Sequence, residues 1–255
     1  MRNTQDLRLT TLAQAMAVTT LAATFMTAPV IADDTATTGS NPTAAKWRVR
    51  ARAIGVIPDD SSGNIRLETG GGASTELTNG VKVDDSVVPE LDVTYMITPN
   101  IGIEAIAGMT KHDIRIDGND PTLSGLGVTD GMKIFDVWVL PPTLTLQYHF
   151  APDKKIRPYA GFGVNYTAML WNDPTEKLKQ TLGSGIDVDT SSSWGWAGQF
   201  GVDWDIGGNW FANADVKYID MSTTASLLIK RLGVGLRVNA DINPWVVGAG
   251  IGYRF

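Results

Sequence analysis

The chain of 255 residues carries a net charge of −6, only 19% charged residues, 27 glycines and no cysteine. Disulfides and thiolate metal sites are thereby excluded, and the acidity argues against nucleic-acid binding. Beyond the first 32 residues no window holds 18 uncharged apolar residues, so only strands could carry this chain across a membrane.

Residues 1–32 read as a secretory leader: Arg2 and Arg8, a mostly apolar run from Leu12 to Met26, then Val30-Ile31-Ala32 ahead of Asp33-Asp34. Residues 33–46 are small and polar and predict a flexible segment. From Trp47 to Ile57 the residues alternate, with Arg48, Arg50, Arg52, Ile54 and Val56 on one face. Three arginines facing lipid would cost about 2–4 kcal/mol each, so that face turns inward. Residues 58–86 hold Pro58, Gly70 to Gly72 and Asn79-Gly80 and predict a long loop. The glycine run there lacks the lysine and the strand-to-helix setting of a phosphate cradle.

Val87 to Ile97 resumes the alternation with Val88, Glu90 and Asp92 inward. After the turn Thr98-Pro99-Asn100, Ile101 to Lys111 returns with Glu104 and Ile106 inward. Residues 112–135 predict a second loop. Asp136 to Phe150 turns Val137, Val139 and Pro141 inward and Leu140 and Pro142 outward, and the adjacent prolines remove two ladder donors. A short turn at 151–155 leads to a fifth strand with Arg157 and Tyr159 inward. A third loop at 169–192 precedes Trp194 to Ile206, whose inward face holds Gln199, Asp203 and Asp205. Gly207 to Asn209 is a turn, and Trp210 to Met221 brings Phe211, Asn213, Asp215, Lys217, Ile219 and Met221 inward. A fourth loop around Thr223 to Lys230 leads to the last strand. There the apolar parity runs from Leu232 to Ile242 and switches after Pro244 to Trp245 through Phe255, as one extra residue would produce. Arg237, Asp241 and Arg254 are read as inward.

Eight strands joined alternately by short turns and longer loops predict an all-β protein: an eight-stranded antiparallel up-and-down transmembrane β-barrel spanning residues 47–255, set in outer-membrane lipid and lipopolysaccharide. Trp47, Trp194, Trp204, Trp210, Trp245, Tyr95, Tyr148, Tyr253 and Phe255 suit two interfacial girdles. Side chains fill so narrow an interior. A salt-bridged plug is expected from Arg48, Arg50, Arg52, Arg157, Lys217, Arg237 and Arg254 against Glu90, Asp92, Glu104, Asp203, Asp205, Asp215 and Asp241. Above it Ile54, Val56, Val88, Ile106, Val137, Val139, Ile219 and Met221 make an apolar path for a hydrophobic ligand. With the floor blocked, such a ligand would leave through the wall, at Pro141-Pro142 or at Pro244. The same apolar residues would equally serve to pack a barrel top, and the prolines to adjust strand curvature. His112 and His149 fall at opposite ends and cannot share a site, and His112 is read as an exposed loop residue. No catalytic, metal or cofactor site follows.

The stretches Asn100-Ile101-Gly102-Ile103-Glu104, Leu140-Pro141-Pro142-Thr143-Leu144, Arg157-Pro158-Tyr159-Ala160-Gly161, Gly201-Val202-Asp203 and Asn243-Pro244-Trp245 through Gly252-Tyr253-Arg254-Phe255 resemble the OmpW family of small outer-membrane barrels. Branches of that family serve alkane and aromatic-hydrocarbon uptake. The resemblance implies a hydrophobic chamber open to the outside, blocked below and discharging sideways, with Ile106 at the position of the family's apolar gate. Phe255 resembles the terminal aromatic read by the barrel-assembly machinery. The expected function is passive uptake of small hydrophobic molecules; the alternatives are a structural barrel whose loops bind surface partners and a soluble lipid-binding barrel in the periplasm.

Overall fold

The computed structural model describes residues 45–59 and 61–255; the leader and most of the 33–46 segment lie outside them. The strands are β1 (Trp47–Ile57), β2 (Ser61–Ser62), β3 (Arg66–Thr69), β4 (Ser74–Glu76), β5 (Gly80–Val83), β6 (Ser86–Met96), β7 (Ile101–Gly108), β8 (Thr110–Asp117), β9 (Lys133–Leu140), β10 (Thr143–His149), β11 (Ile156–Pro174), β12 (Ile186–Thr190), β13 (Ser193–Gly207), β14 (Trp210–Ile219), β15 (Ser222–Ile229), β16 (Val234–Asp241) and β17 (Trp245–Arg254). Two short helices, α1 (Pro121–Gly125) and α2 (Glu176–Leu182), interrupt them.

Eight of these strands close on themselves in the order β10-β7-β6-β1-β17-β14-β13-β11, with β11 returning to β10. Closure leaves no edge, which is how a sheet satisfies every backbone donor in hydrocarbon. Short turns link β6 to β7, β10 to β11 and β13 to β14. The last is tight enough to need Gly207 and Gly208 at φ 133° and 56°, where a Cβ would be strained.

At the opposite end the four segments expected to be loops carry strands of their own. The barrel ladder stops there and starts again. Between β7 and β10 it ends at Ile106↔Thr143, and between β8 and β9 it resumes at Thr110↔Val139. Between β14 and β17 it ends at Tyr218↔Trp245 and resumes between β15 and β16 at Ser222↔Asp241. Beyond this ring of breaks the strands regroup. β5, β8, β9 and the outer half of β11 form one sheet, and β12, β15, β16, β3 and β4 form a second, with β2 on β16. Their inner faces enclose an apolar core that includes Ile65, Leu77, Ile116, Leu123, Phe135, Leu178 and Ile229. The expectation of loops fails because Asp- and Gly-rich sequence lowers strand propensity without forbidding a strand whose alternate residues are buried.

The closing strand needs a second correction. Even-numbered residues from Val238 to Arg254 face inward throughout, and the register with β14 and β15 does not shift across Pro244. Nothing is inserted; the surroundings change. Below Pro244 the outside of the wall is apolar, with Trp245, Val247 and Ile251 exposed. Above it the outside carries Arg237, Asn239 and Asp241, all exposed, while Val238 and Ala240 are buried within. The same inversion occurs between β7, with Ile101 and Ile103 outward, and β8, with Lys111, Asp113, Arg115 and Asp117 outward. On the outer sheets the charges pair on the surface, as Lys82 with Asp117 at 3.0 Å, Arg115 with Asp84 at 2.9 Å and Lys230 with Asp187 at 2.9 Å. The inversion therefore marks where the wall leaves lipid for water.

Aromatic rings border this apolar band on both sides. Tyr166–Trp194 and Trp196–Tyr218–Trp245 contact one another near the ring of breaks. Trp47–Tyr95, Tyr148–Phe150 and Trp210–Tyr253–Phe255 do so at the short-turn end. From Trp245 to Tyr253 a strand advances about 27 Å, which at a tilt of about 40° gives roughly 21 Å of height, close to the apolar band of outer-membrane barrels.

Candidate functional site

Inside the short-turn half the inward residues form one ion-paired layer. Arg50 is fully buried and grips Asp203 with two bonds, Nε to Oδ1 at 3.2 Å and Nη2 to Oδ2 at 3.1 Å. Its Nη1 donates to Asp92, Glu104 and Thr94 at 3.0, 3.0 and 2.7 Å. Arg52 reaches Glu90, Asp92 and Asp215. Lys217 closes the top of the layer on Glu90, with Oε1 and Oε2 at 2.8 and 2.9 Å. Toward the short turns Arg157 and Arg254 share Asp205, while Arg48 lies 3.7 Å from Asp203 and donates to His149.

Neutral groups complete the layer. The Gln199 amide donates to Glu104 at 2.6 Å, the Tyr159 hydroxyl to Asp215 at 3.0 Å and the Asn213 amide to Asp203 at 2.9 Å. Phe211 sits among the guanidinium groups of Arg50, Arg157 and Arg254, 5.4–5.8 Å from its ring centre. A Cβ on Gly252 would lie 2.3 Å from that ring, so the facing strand must carry glycine there. Arg237, expected in this layer, is outside it. It lies on β16 beyond the membrane boundary and points to solvent, as does Asp241, because the apolar parity there faces the core. Losing one cation and one anion together leaves Arg48, Arg50, Arg52, Arg157, Lys217 and Arg254 balanced against Glu90, Asp92, Glu104, Asp203, Asp205 and Asp215.

Above Lys217 and Glu90 the interior becomes an apolar chamber of about 1010 Å³, part of it continuous with solvent. Ile54, Val56, Ile106, Val137, Val139, Ile219 and Met221 line it, as expected from their parity. Val88 packs behind them against the cluster of Ile54, Val56, Ala197, Ile219, Met221 and Val246. Sequence reasoning missed the upper lining, which comprises Ile114, Phe135, Met169, Val238 and Ala240 from segments taken for loops or for outward faces. It also misjudged His112. That ring is buried in the chamber wall, with Nδ1 2.9 Å from the Asp84 carbonyl and Nε2 2.9 Å from the Thr110 hydroxyl.

Pro141 and Pro244 both border the chamber at the ring of ladder breaks; Pro142 stands beside Pro141 in the wall. At the proline pair the Asn165 amide donates to the Pro141 and Pro142 oxygens at 3.2 and 3.3 Å, and the Pro142 oxygen also accepts from the Tyr166 backbone amide at 3.0 Å. Near Pro244, Asn243 at φ 35° accepts from the Met221 amide through its side chain at 3.0 Å. Backbone bonds from Ile219 to Pro244 and from Ile242 to Met221, at 3.2 and 2.8 Å, cross the gap beside Pro244, while the ladder from Pro141-Pro142 toward β7 and β8 stays interrupted. Among the described residues no group of His, Asp or Glu is arranged to hold a metal ion.

A closed antiparallel barrel of eight strands, apolar and aromatic-belted outside and charged within, with short turns at one end, defines a small outer-membrane barrel. The short-turn end is then periplasmic and the two outer sheets extracellular. The chain belongs to the OmpW family, whose model matches residues 43–255. It is 36% identical over 235 residues to the outer-membrane protein y4mB of Sinorhizobium fredii, covering 92% of this chain and 90% of that one. The crystal structure of the outer membrane protein OprG from Pseudomonas aeruginosa superposes with a TM-score of 0.72 at 32% identity, covering 83% of this chain and 96% of that one. A further relative, 28% identical over 166 residues (64% of this chain and 69% of its own length), is the dibenzothiophene metabolism operon protein PahQ of Pseudomonas aeruginosa.

Proposed function

We propose that this barrel admits small hydrophobic molecules from outside and releases them sideways into the outer membrane. The chamber carries the reading: about 1010 Å³, part of it continuous with solvent and bordered mainly by apolar side chains, above a charge-balanced, ion-paired layer. Apolar solutes gain by leaving water for such a lining, at about 25 cal/mol per Å² buried. The layer beneath acts as a plug, because passage would require separating buried ion pairs. The weak places in the wall are Pro141-Pro142, where the ladder toward β7 and β8 is interrupted, and Pro244, which brings no amide donor, both at the height where the outer surface turns apolar. The relative from a dibenzothiophene metabolism operon supports an apolar, aromatic cargo.

Ile106 stands at the lower end of the chamber, in register with Asp92 on one side and Thr143 on the other. Ile106→Arg places an uncompensated cation in the path. Whole-cell uptake of naphthalene in this variant is expected to fall to that of cells lacking the protein, while heat-modifiable gel mobility still reports a folded barrel. Undiminished uptake by the folded variant would overturn the gate, and equal uptake by cells with and without the wild-type protein would overturn the transport reading.

A further inference from the structure

The chamber is not the only apolar cavity among the described residues. Above it, between the two extracellular sheets, lies a second apolar cavity of about 480 Å³, part of it open to solvent, lined by Ile65, Ile116, Val128, Leu178 and Leu182 among others. The two cavities share four lining residues: Val81 and Phe135 from one sheet, Ala225 and Val238 from the other. They meet where the sheets face each other, and Phe135 is the largest group of the four. Its ring is 3% exposed and belongs to the apolar core, with no hydrogen-bonding atom of its own. Beneath it begins the chamber and above it the second cavity.

We propose that the upper cavity is an outer binding station for a small apolar ligand, and that Phe135 is the septum that sets which ligands pass from it to the chamber. The inference rests on the uptake reading given above. Three features carry it. The upper cavity is lined mainly by apolar side chains. It is bounded by α2, whose Leu178 and Leu182 are buried in it while Glu176 and Lys179 pair at 2.7 Å on the water side. And the partition between the cavities is made of side chains, with no backbone ladder crossing it, since the facing sheets pair only within themselves. A phenylalanine can turn aside by rotating two side-chain bonds, whereas a ladder would have to break. Val81, Ala225 and Val238 are smaller, so Phe135 is the one of the four whose truncation widens the passage most.

The test uses the full-length protein in cells and two probes, naphthalene and pyrene, each measured against cells lacking the protein. Phe135→Ala is expected to raise pyrene uptake relative to naphthalene by about tenfold, the scale on which a hydrophobic site distinguishes size. Phe135→Leu, which keeps an apolar side chain of intermediate bulk, should fall between wild type and the alanine variant. It serves where the alanine variant fails to give the heat-modifiable mobility of a folded barrel. A folded leucine or alanine variant with an unchanged pyrene-to-naphthalene ratio would overturn the septum while leaving uptake itself intact. Absence of uptake by the wild-type protein would instead remove the reading on which the septum rests.

Discussion

Replacing Arg50 tests the charged layer most directly. Its guanidinium makes two bonds to Asp203 and one each to Asp92, Glu104 and Thr94, all at full burial. Arg50→Gln leaves three carboxylates short of a partner and turns a balanced layer into one with an excess anion. Removing one member of a buried pair costs about 3–5 kcal/mol, so a loss near the middle of that range, about 4 kcal/mol, is expected. Asp203→Asn in the same chain restores the balance, while the Asn213 amide remains close enough to bond the new side chain. The double variant should therefore lose about 2 kcal/mol less than the sum of the single losses, within the range for residues in contact. Urea unfolding in lipid vesicles, followed by tryptophan fluorescence and by gel mobility, measures all three. A single-variant loss below about 1 kcal/mol, the scale of an exposed pair, would refute the reasoning, as would strict additivity of the two substitutions.

The other predictions concern the wall and the extracellular sheets. Phe162, 63% exposed on the lipid face, should tolerate arginine poorly, with Phe162→Arg costing about 2–4 kcal/mol in the same vesicles; Leu228→Arg, 46% exposed but beyond the boundary, should change stability by no more than about 0.5 kcal/mol. Equal costs would misplace the boundary. Replacing Pro141 and Pro142 together by threonine supplies the missing donors and should slow uptake while the midpoint of thermal unfolding holds or rises; unchanged uptake would exclude that part of the wall as the exit. Amide donors from Thr78 and Thr122 hold the Asp120 carboxyl below the usual carboxylate range, so its contribution is complete above the ordinary value of about 3.9 and is lost as pH falls through the lowered one. Hydrogen exchange of the Thr78 and Thr122 amides should accordingly hold steady from neutral pH down to about 4, after correction for intrinsic rates, and rise only below it.

Alternation alone was enough to place Arg48, Arg50 and Arg52 indoors, because no other arrangement keeps three guanidinium groups from lipid. The same logic placed Glu104 and Ile106 on one inward face. It failed for Arg237 and Asp241, and for a physical reason: a period of two says which residues share a face but not which face meets water. Within the membrane the polar face is inside; a few residues farther along the same strand it is outside. Val81-Lys82-Val83 and Ile114-Arg115-Ile116 already displayed the inverted pattern, yet their neighbouring Gly and Asp residues made the segments read as loops. His112 went astray with them, since a histidine in a supposed loop has no reason to be buried. Phe135 lay outside every predicted strand, and only the meeting of two sheets distant in sequence gives it neighbours across the passage.

One strand differs from the rest at the ring of ladder breaks. β11 runs without interruption from Ile156 to Pro174, pairing with β10 and β13 below and with β9 above. Among the described residues it is the one stave common to the barrel and an extracellular sheet. A load on the outer sheets thus has one uninterrupted strand by which to reach the membrane-embedded half. Elsewhere it crosses joints held by isolated backbone bonds, such as Ile219 to Pro244 and Asp220 to Trp196. The molecule is built mechanically as a cup whose rim is riveted along one seam, so a tilt of the rim that pivots about β11 is widest at β1, the strand opposite it in the ring, between β6 and β17.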